Sequence, residues 1–331
     1  MIAGFDANRL LLLLAGLAID AWFGDIPVLF SRVPHPVVLA GRAIAFFDRK
    51  LNRENRSEAS RCVRGTVTVT VLVGLAAAIG LAVQRVCRGS LFGAAVETLL
   101  IAVLVAQRSL YEHVADVAEA LDRGGLAAGR DAVRHIVGRD PMRLDAYGVA
   151  RAAIESLAEN FGDGVVAPVF WFMLLGLPGL FAYKMVNTLD SMIGHKTQHY
   201  RSFGWAAARF DDLANLVPAR ISGLLITGAA LFAEKGRPGR ALAIMLRDAR
   251  KHRSPNAGWP EAAMAGALGL ALAGPRHYPE GAVADPWVGD GTARAATSDI
   301  ARALSLYKLA CLLQGGLALG AWLAAHLSLL A

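Results

Sequence analysis

Residues 66–84, TVTVTVLVGLAAAIGLAVQ, contain no charged side chain. As a helix at 1.5 Å per residue, such a run reaches about 28 Å, close to the depth of a bilayer's hydrocarbon core. No other stretch restricts the fold as much. Residues 91–106 are nearly as apolar, interrupted only by Glu97, and a short loop with Arg85 and Arg88 joins the two runs. This pairing predicts a transmembrane hairpin. The preceding segment, 49–64, holds Arg49, Lys50, Arg53, Arg56, Arg61 and Arg64, which the positive-inside rule places in the cytoplasm. Only 18% of the 331 residues are charged and 55% are hydrophobic, against roughly 25% charged in ordinary soluble domains.

The expected architecture is all-α: a polytopic integral membrane protein with amphipathic and re-entrant helices and cytoplasmic polar loops. One membrane domain is expected over residues 1–331, with membrane segments near 10–24, 66–84, 91–106, 164–187, 216–233 and 304–331. Leu10–Ile19 has the look of a signal-peptide core, but Asp20, Trp22 and Asp25 follow it instead of a small-residue cleavage site, so it is read as retained. The 164–187 segment is interrupted by GLPG at 176–179 and is expected to break at Pro178 into two half-helices that re-enter on the cytoplasmic side.

Between the apolar blocks the chain is amphipathic. Leu110, Val114, Val117 and Leu121 form one helical stripe, with the helix ending near Gly124–Gly125, and a second short helix ends at Gly138. A third, about 143–160, puts Leu144, Tyr147, Ala150, Ile154 and Leu157 on one face and Glu155, Ser156, Glu159, Asn160 and Asp163 on the other. A net charge of +7 and pI near 9.6 suit an anionic partner. Nucleic acid is not expected, since the basic residues are scattered and no nucleic-acid motif accompanies them. Cys62, Cys87 and Cys311 form no CxxC pair and read as inert thiols.

Four polar clusters stand beside the apolar segments: Asp20, Asp25 and His35; Glu155, Glu159, Asn160 and Asp163; Asn187, Asp190, Ser191 and Lys196; and Asp211, Asp212, Asn215 and Arg220. Carboxylates beside low-dielectric surroundings are functional candidates by default, the plain alternative being helix caps and ion pairs at the interface. YKMVNTLDSMIGHK at 183–196 keeps Lys184, Asn187, Asp190, Ser191 and Lys196 next to a run of Phe, Trp, Leu and Met, at a spacing that lines one helical face. In DDLAN at 211–215, Asp211, Asp212 and Asn215 fall within one turn and offer hard oxygens for magnesium. The equal alternative is an acidic first turn of a helix. Lys196, Arg201, Arg209 and Arg220 supply charge for phosphoryl oxygens, or form a basic membrane rim, which is the better reading for Arg209 alone. His35, between two prolines, is a ligand, a base or a rigid turn residue. No P-loop, GxGxxG, HExxH or GxSxG occurs.

In order and spacing, these stretches resemble the adenosylcobinamide-phosphate synthase family of cobalamin biosynthesis. The likeness covers almost the whole chain. It rests on Asp20, Gly24, Asp25, Pro27, His35, Pro36, Val37 and Gly41; on Arg139–Asp140; and on IESLAEN and DGVVAP within 154–168. It continues through 183–196, HYRSFGWAAARFDDLANLVPAR at 199–220 and SPNAGWPEAAMAGALG at 254–269. His195, Phe161–Gly162 and Pro141 depart from the usual family pattern.

The resemblance implies ATP-dependent amide ligation of adenosylcobyric acid with (R)-1-amino-2-propanol phosphate, or with free aminopropanol, giving adenosylcobinamide phosphate. Magnesium is implied with the ATP. The residues expected to carry catalysis are Glu155, Glu159, Asp163 and Asp190. Asp25, His35, Asn160, Lys184, Asn187, Ser191, Lys196, Tyr200, Arg201, Arg220 and Asn256 would bind substrate or nucleotide, and Asp211, Asp212 and Asn215 the metal. The expected setting is the bacterial inner membrane, multi-pass, with one pocket facing the cytoplasm and with lipid, a second copy or other cobalamin-pathway proteins as partners. Two other readings stand beside it: a magnesium-dependent intramembrane transferase of prenyl or alcohol-phosphate groups, and a non-enzymatic sensory relative. The first fits poorly because DDLAN lacks a third aspartate.

Overall fold

The computed structural model describes residues 7–24, 30, 34–138, 140–278, 281–283 and 285–330. Asp25, Pro27 and Arg139 lie outside them. The chain divides into two compact units, one of residues 1–106, 167–215 and 318–331, the other of 107–166 and 216–317.

The first unit contains α1 (Ala7–Phe23), α2 (Pro36–Leu51), α3 (Glu58–Cys87), α4 (Leu91–Leu104), α7 (Ala167–Leu175), α8 (Leu177–Ile193) and α9 (Trp205–Ala214). Helix α3 starts where the Ser57 hydroxyl accepts the Ser60 N–H at 3.3 Å, a cap that satisfies one orphan donor. Its run of threonines would suit a strand. Here Thr66, Thr68 and Thr70 instead donate their hydroxyls to carbonyls four residues back, each at 2.9 Å. In lipid, that bond removes the penalty of an unpaired hydroxyl. Val63, Val67, Val71, Leu75 and Ile79 are all exposed; four residues apart, they make one apolar stripe for lipid. The opposite face buries Val69 and Leu72 in a core with Ile44, Leu189, Ile193, Phe203, Ala206 and Ala207.

Helix α8 sits at the centre of this unit, against α2, α3, α7 and α9. The break before it falls at Gly176 (φ 72°), and Pro178 occupies the first turn, where its missing N–H leaves no bond unmade. Helix α7 then folds back on α8. The α3 helix, the Leu91–Val133 stretch and Thr297–Leu327 are long and apolar enough to cross a membrane. Leu216–Ala229, in the segment expected to cross at 216–233, is a shorter helix.

The second unit contains α5 (Gln107–Val133), α6 (Ala146–Asn160), a π-type turn over Phe161–Val166, α10 (Leu216–Ala229), α11 (Pro238–Asp248), α12 (Gly258–Leu268) and most of α13 (Thr297–Leu330). Gly125 (φ 66°) kinks α5 where the sequence predicts a helix end, and hydrogen bonding resumes beyond it. The two-faced reading of 143–160 is corrected. Residues 148–150 and 152–158 are buried, Glu155 among them, while Tyr147 is 43% exposed. Neighbouring elements cover both sides of α6, so its polarity pattern does not mark a solvent face. The all-α expectation holds, with strands nearly absent among the described residues. Short antiparallel pairs join β1 (Leu272–Ala273) to β4 (Trp287–Val288) and β2 (Arg276–Tyr278) to β3 (Gly281–Val283). Strands of two or three residues carry no legible period.

Candidate functional site

The apolar side of α8 (Tyr183, Val186, Leu189 and Ile193) is core, which directs Asn187, Asp190 and Ser191 to the other side. There Asp190 meets the two aspartates of α9. Burial raises the Asp190 carboxyl above its ordinary value, His195 pulls it down and Asp212 pushes it up. Asp211 is pushed up to about 7, first by burial and then by the Asp190 charge, with the Asn215 and Asn187 amides working against the rise. Asp212 is raised by burial, while Arg209, 3.3 Å away, and Lys196 draw it back. Three carboxylates therefore share one partly buried place, each disfavouring ionisation of another.

The alternative of an acidic first turn is overturned. Asp211 and Asp212 occupy the last turn of α9, the end at which the helix dipole disfavours negative charge. Asn215 acts as a brace. Its amide Nδ2 donates to Asp211 Oδ2 at 3.0 Å and its Oδ1 accepts the Tyr183 hydroxyl at 2.9 Å. Asp211 Oδ1 is buried without a hydrogen-bond partner. An open, hard oxygen beside other carboxylates fits magnesium shared with phosphoryl oxygens. Asn215, whose carbonyl is engaged by Tyr183, fits as a positioning residue. Among the described residues no three His, Cys, Asp or Glu side chains form a metal site by themselves.

Residues 194–204 bring Lys196, Tyr200 and Arg201 beside α8, with Lys196 and Arg201 exposed. A network that the sequence reading missed holds this segment. Buried Arg61 donates Nε to Asn52 Oδ1 at 2.8 Å and Nη2 to the His199 carbonyl. Asn52 Nδ2 donates to Asp48 Oδ1 at 2.8 Å and to the His199 carbonyl at 3.2 Å. Tyr200 donates its hydroxyl to Asp48 Oδ2 at 3.2 Å, and burial together with that carboxylate raises its pKa. Nothing in the sequence separates Arg61 from the other basic residues of 49–64.

The remaining candidates are placed as follows. Ser191 donates its hydroxyl to the Asn187 carbonyl at 2.8 Å, and Lys184 lies one turn before Thr188, whose hydroxyl bonds the Lys184 carbonyl. His35 caps α2: its Nδ1 accepts the Val37 N–H at 3.2 Å, and its ring meets Phe30 at 4.5 Å. Asp20 is buried on α1.

In the second unit, Glu155 Oε1 accepts the Ala273 N–H at 2.8 Å. Ala273 has φ 59°, a strained value for alanine, and Glu155 helps hold it. Asn160 donates to the Ser156 carbonyl and hydroxyl, and Ser156 donates to the Ile136 carbonyl at 2.7 Å. Glu159 is exposed at the end of α6, and Asp163 lies in the π-type turn. Arg220 and Asn256 lie 3.5 Å apart.

A family model described as CobD/Cbib protein matches residues 13–307. A relative named "Cobalamin biosynthesis protein CobD" from Sinorhizobium sp is 52% identical over 94% of this chain and 97% of its own length. Relatives of the same name from Brucella suis biovar 1 (strain 1330) and Rhodobacter capsulatus are 49% and 46% identical, over 95% and 92% of the chain and 97% and 94% of theirs. No solved structure matches significantly. A family match across nearly the whole length, with the carboxylate segments inside it, leaves one assignment: this chain belongs to the CobD/Cbib protein family.

Proposed function

We propose that this protein acts in cobalamin biosynthesis as the amide ligase that joins adenosylcobyric acid to (R)-1-amino-2-propanol phosphate, or to the free aminopropanol, in the inner membrane. The observation that carries this reading is the Asp190–Asp211–Asp212 cluster, with an open buried oxygen on Asp211 and with Lys196 beside it, in a chain about half identical to proteins named for this pathway. ATP with magnesium supplies a phosphoryl group that makes the substrate carboxylate a better acylating agent, and the amine then forms the C–N bond while phosphate leaves. Asp190 and Asp211 would hold the metal. Asn215 and Tyr183 keep Asp211 in place, and Lys196 and Arg201 offset phosphoryl charge. A carboxylate of the same cluster takes the proton the amine releases as the bond forms.

The test is growth of a bacterial strain blocked at cobyric acid. The wild-type gene restores growth on cobyric acid and Asp190→Ala does not, although both accumulate equally in the membrane. Undiminished growth with Asp190→Ala removes Asp190 from the site, and failure of the wild-type gene to restore growth removes the reaction. Turnover of radiolabelled prenyl diphosphate by the purified protein would favour the transferase reading instead.

A further inference from the structure

Around α11 and α12, most basic side chains that the structure pairs have an acid. Asp248 takes Arg247 at 2.8 Å and Lys251 at 2.7 Å, and Asp290 takes Arg247 at 3.1 Å and also Arg240. Arg220 and Arg250 differ. Among the described residues neither has a carboxylate partner, yet they stand close enough for Arg250 to repel the Arg220 charge. Arg220 is fixed by neutral groups. Its Nη1 donates to the Leu216 carbonyl and lies 3.5 Å from Asn256 Oδ1, and its Cζ sits 4.6 Å above the Trp259 ring. Stacking on an aromatic face holds the guanidinium plane and leaves its edge for a ligand. Nε and Nη2 have no acceptor among the described residues.

Backbone contacts build this arrangement. Gly223 of α10 passes against the Trp259 carbonyl, where an added Cβ would lie 3.1 Å away, and so sets Arg220, one turn earlier, over the indole. A Cβ on Gly258 would stand 2.1 Å from the Ala249 carbonyl, an approach that only glycine allows and that packs the backbone just before Arg250 against Gly258. Ser254 Oγ accepts the N–H groups of Asn256 and Ala257, both at 3.2 Å, which keeps that turn in shape.

We propose that Arg220 and Arg250, with Asn256 and Trp259, form a binding subsite for a phosphoryl group. Two guanidiniums within electrostatic range of each other and without an acid offer an anion both charges, and a phosphate dianion matches them better than a single carboxylate. Within the ligase reading, the group belongs either to the phosphorylated amino alcohol or to ATP. The subsite itself depends on that reading only for which of the two fills it.

The test is titration of inorganic phosphate into the detergent-purified full-length protein, followed by calorimetry. Arg250 is exposed, so R250Q leaves the packing intact. It weakens phosphate binding at least tenfold, R250K weakens it less, and R56Q, an exposed charge removed elsewhere, leaves it unchanged. Equal phosphate affinity in wild type, R250Q and R220Q overturns the subsite. Titrating 1-amino-2-propanol phosphate and a non-hydrolysable ATP analogue then identifies the source as the compound whose affinity falls in R250Q. If phosphate binding is sensitive to R250Q and neither compound is, the subsite stands and the ligase reading falls.

Discussion

Asp211 is a carboxyl whose surroundings hold it away from its ordinary ionisation. Its folded pKa of about 7 lies above the ordinary 3.8. Below pH 3.8 the folded and unfolded chains both carry the proton, and the site has no effect on stability. As pH rises from there toward 7, only the unfolded chain ionises, so stability falls until both forms are charged. Asp190 and Asp212 are raised too and act in the same direction. Asp211→Asn keeps an oxygen for the Asn215 amide and removes the charge. In chelator, it raises Tm by several degrees at pH 8 and changes it little at pH 4. A Tm gain of equal size at both pH values would show that the aspartate is not held protonated.

Among the elements, α3 crosses the 194–204 segment at close range. A Cβ on Gly65 would fall 1.8 Å from the Phe203 carbonyl, a backbone atom that cannot swing aside. Gly65→Ala therefore forces α3 away from the segment that carries Lys196, Tyr200 and Arg201. The expected loss is about 1–3 kcal/mol, the usual penalty of overpacking, read as a lower melting temperature in detergent. Gly74, with no atom within 4 Å of an added Cβ, is the matched control, and Gly74→Ala melts like wild type or slightly higher. Equal melting of the two variants would contradict the close crossing.

For the whole molecule, the basic segment 49–64 and the site residues on α8 and 194–204 belong to one unit. Arg61 is bonded directly to the His199 carbonyl. The two stretches therefore lie side by side, and under the proposed reading the positive-inside rule would put both in the cytoplasm. Single cysteines at Arg56, Ser191 and Lys196, all exposed, in a background without Cys62, Cys87 and Cys311, are expected to react with an impermeant maleimide in inverted vesicles and not in intact cells. Labelling of Ser191→Cys from outside would reverse the orientation.

Much of this protein was written in local pattern. An uncharged run such as 66–84 must bury its backbone polar groups in its own hydrogen bonds once it leaves water, so it specifies a helix without reference to any neighbour. The Leu110–Val114–Val117 stripe and the break at GLPG are local for the same reason: period and missing donors act within a turn or two. Which polar residues meet was decided by tertiary packing alone. The proximity of Asp190 to Asp211, the Arg61 bridge to His199 and the stacking of Arg220 on Trp259 join residues many turns apart. No spacing rule encodes such meetings. They depend on how closely helices approach at positions like Gly65 and Gly258, where the absence of one carbon lets two backbones touch.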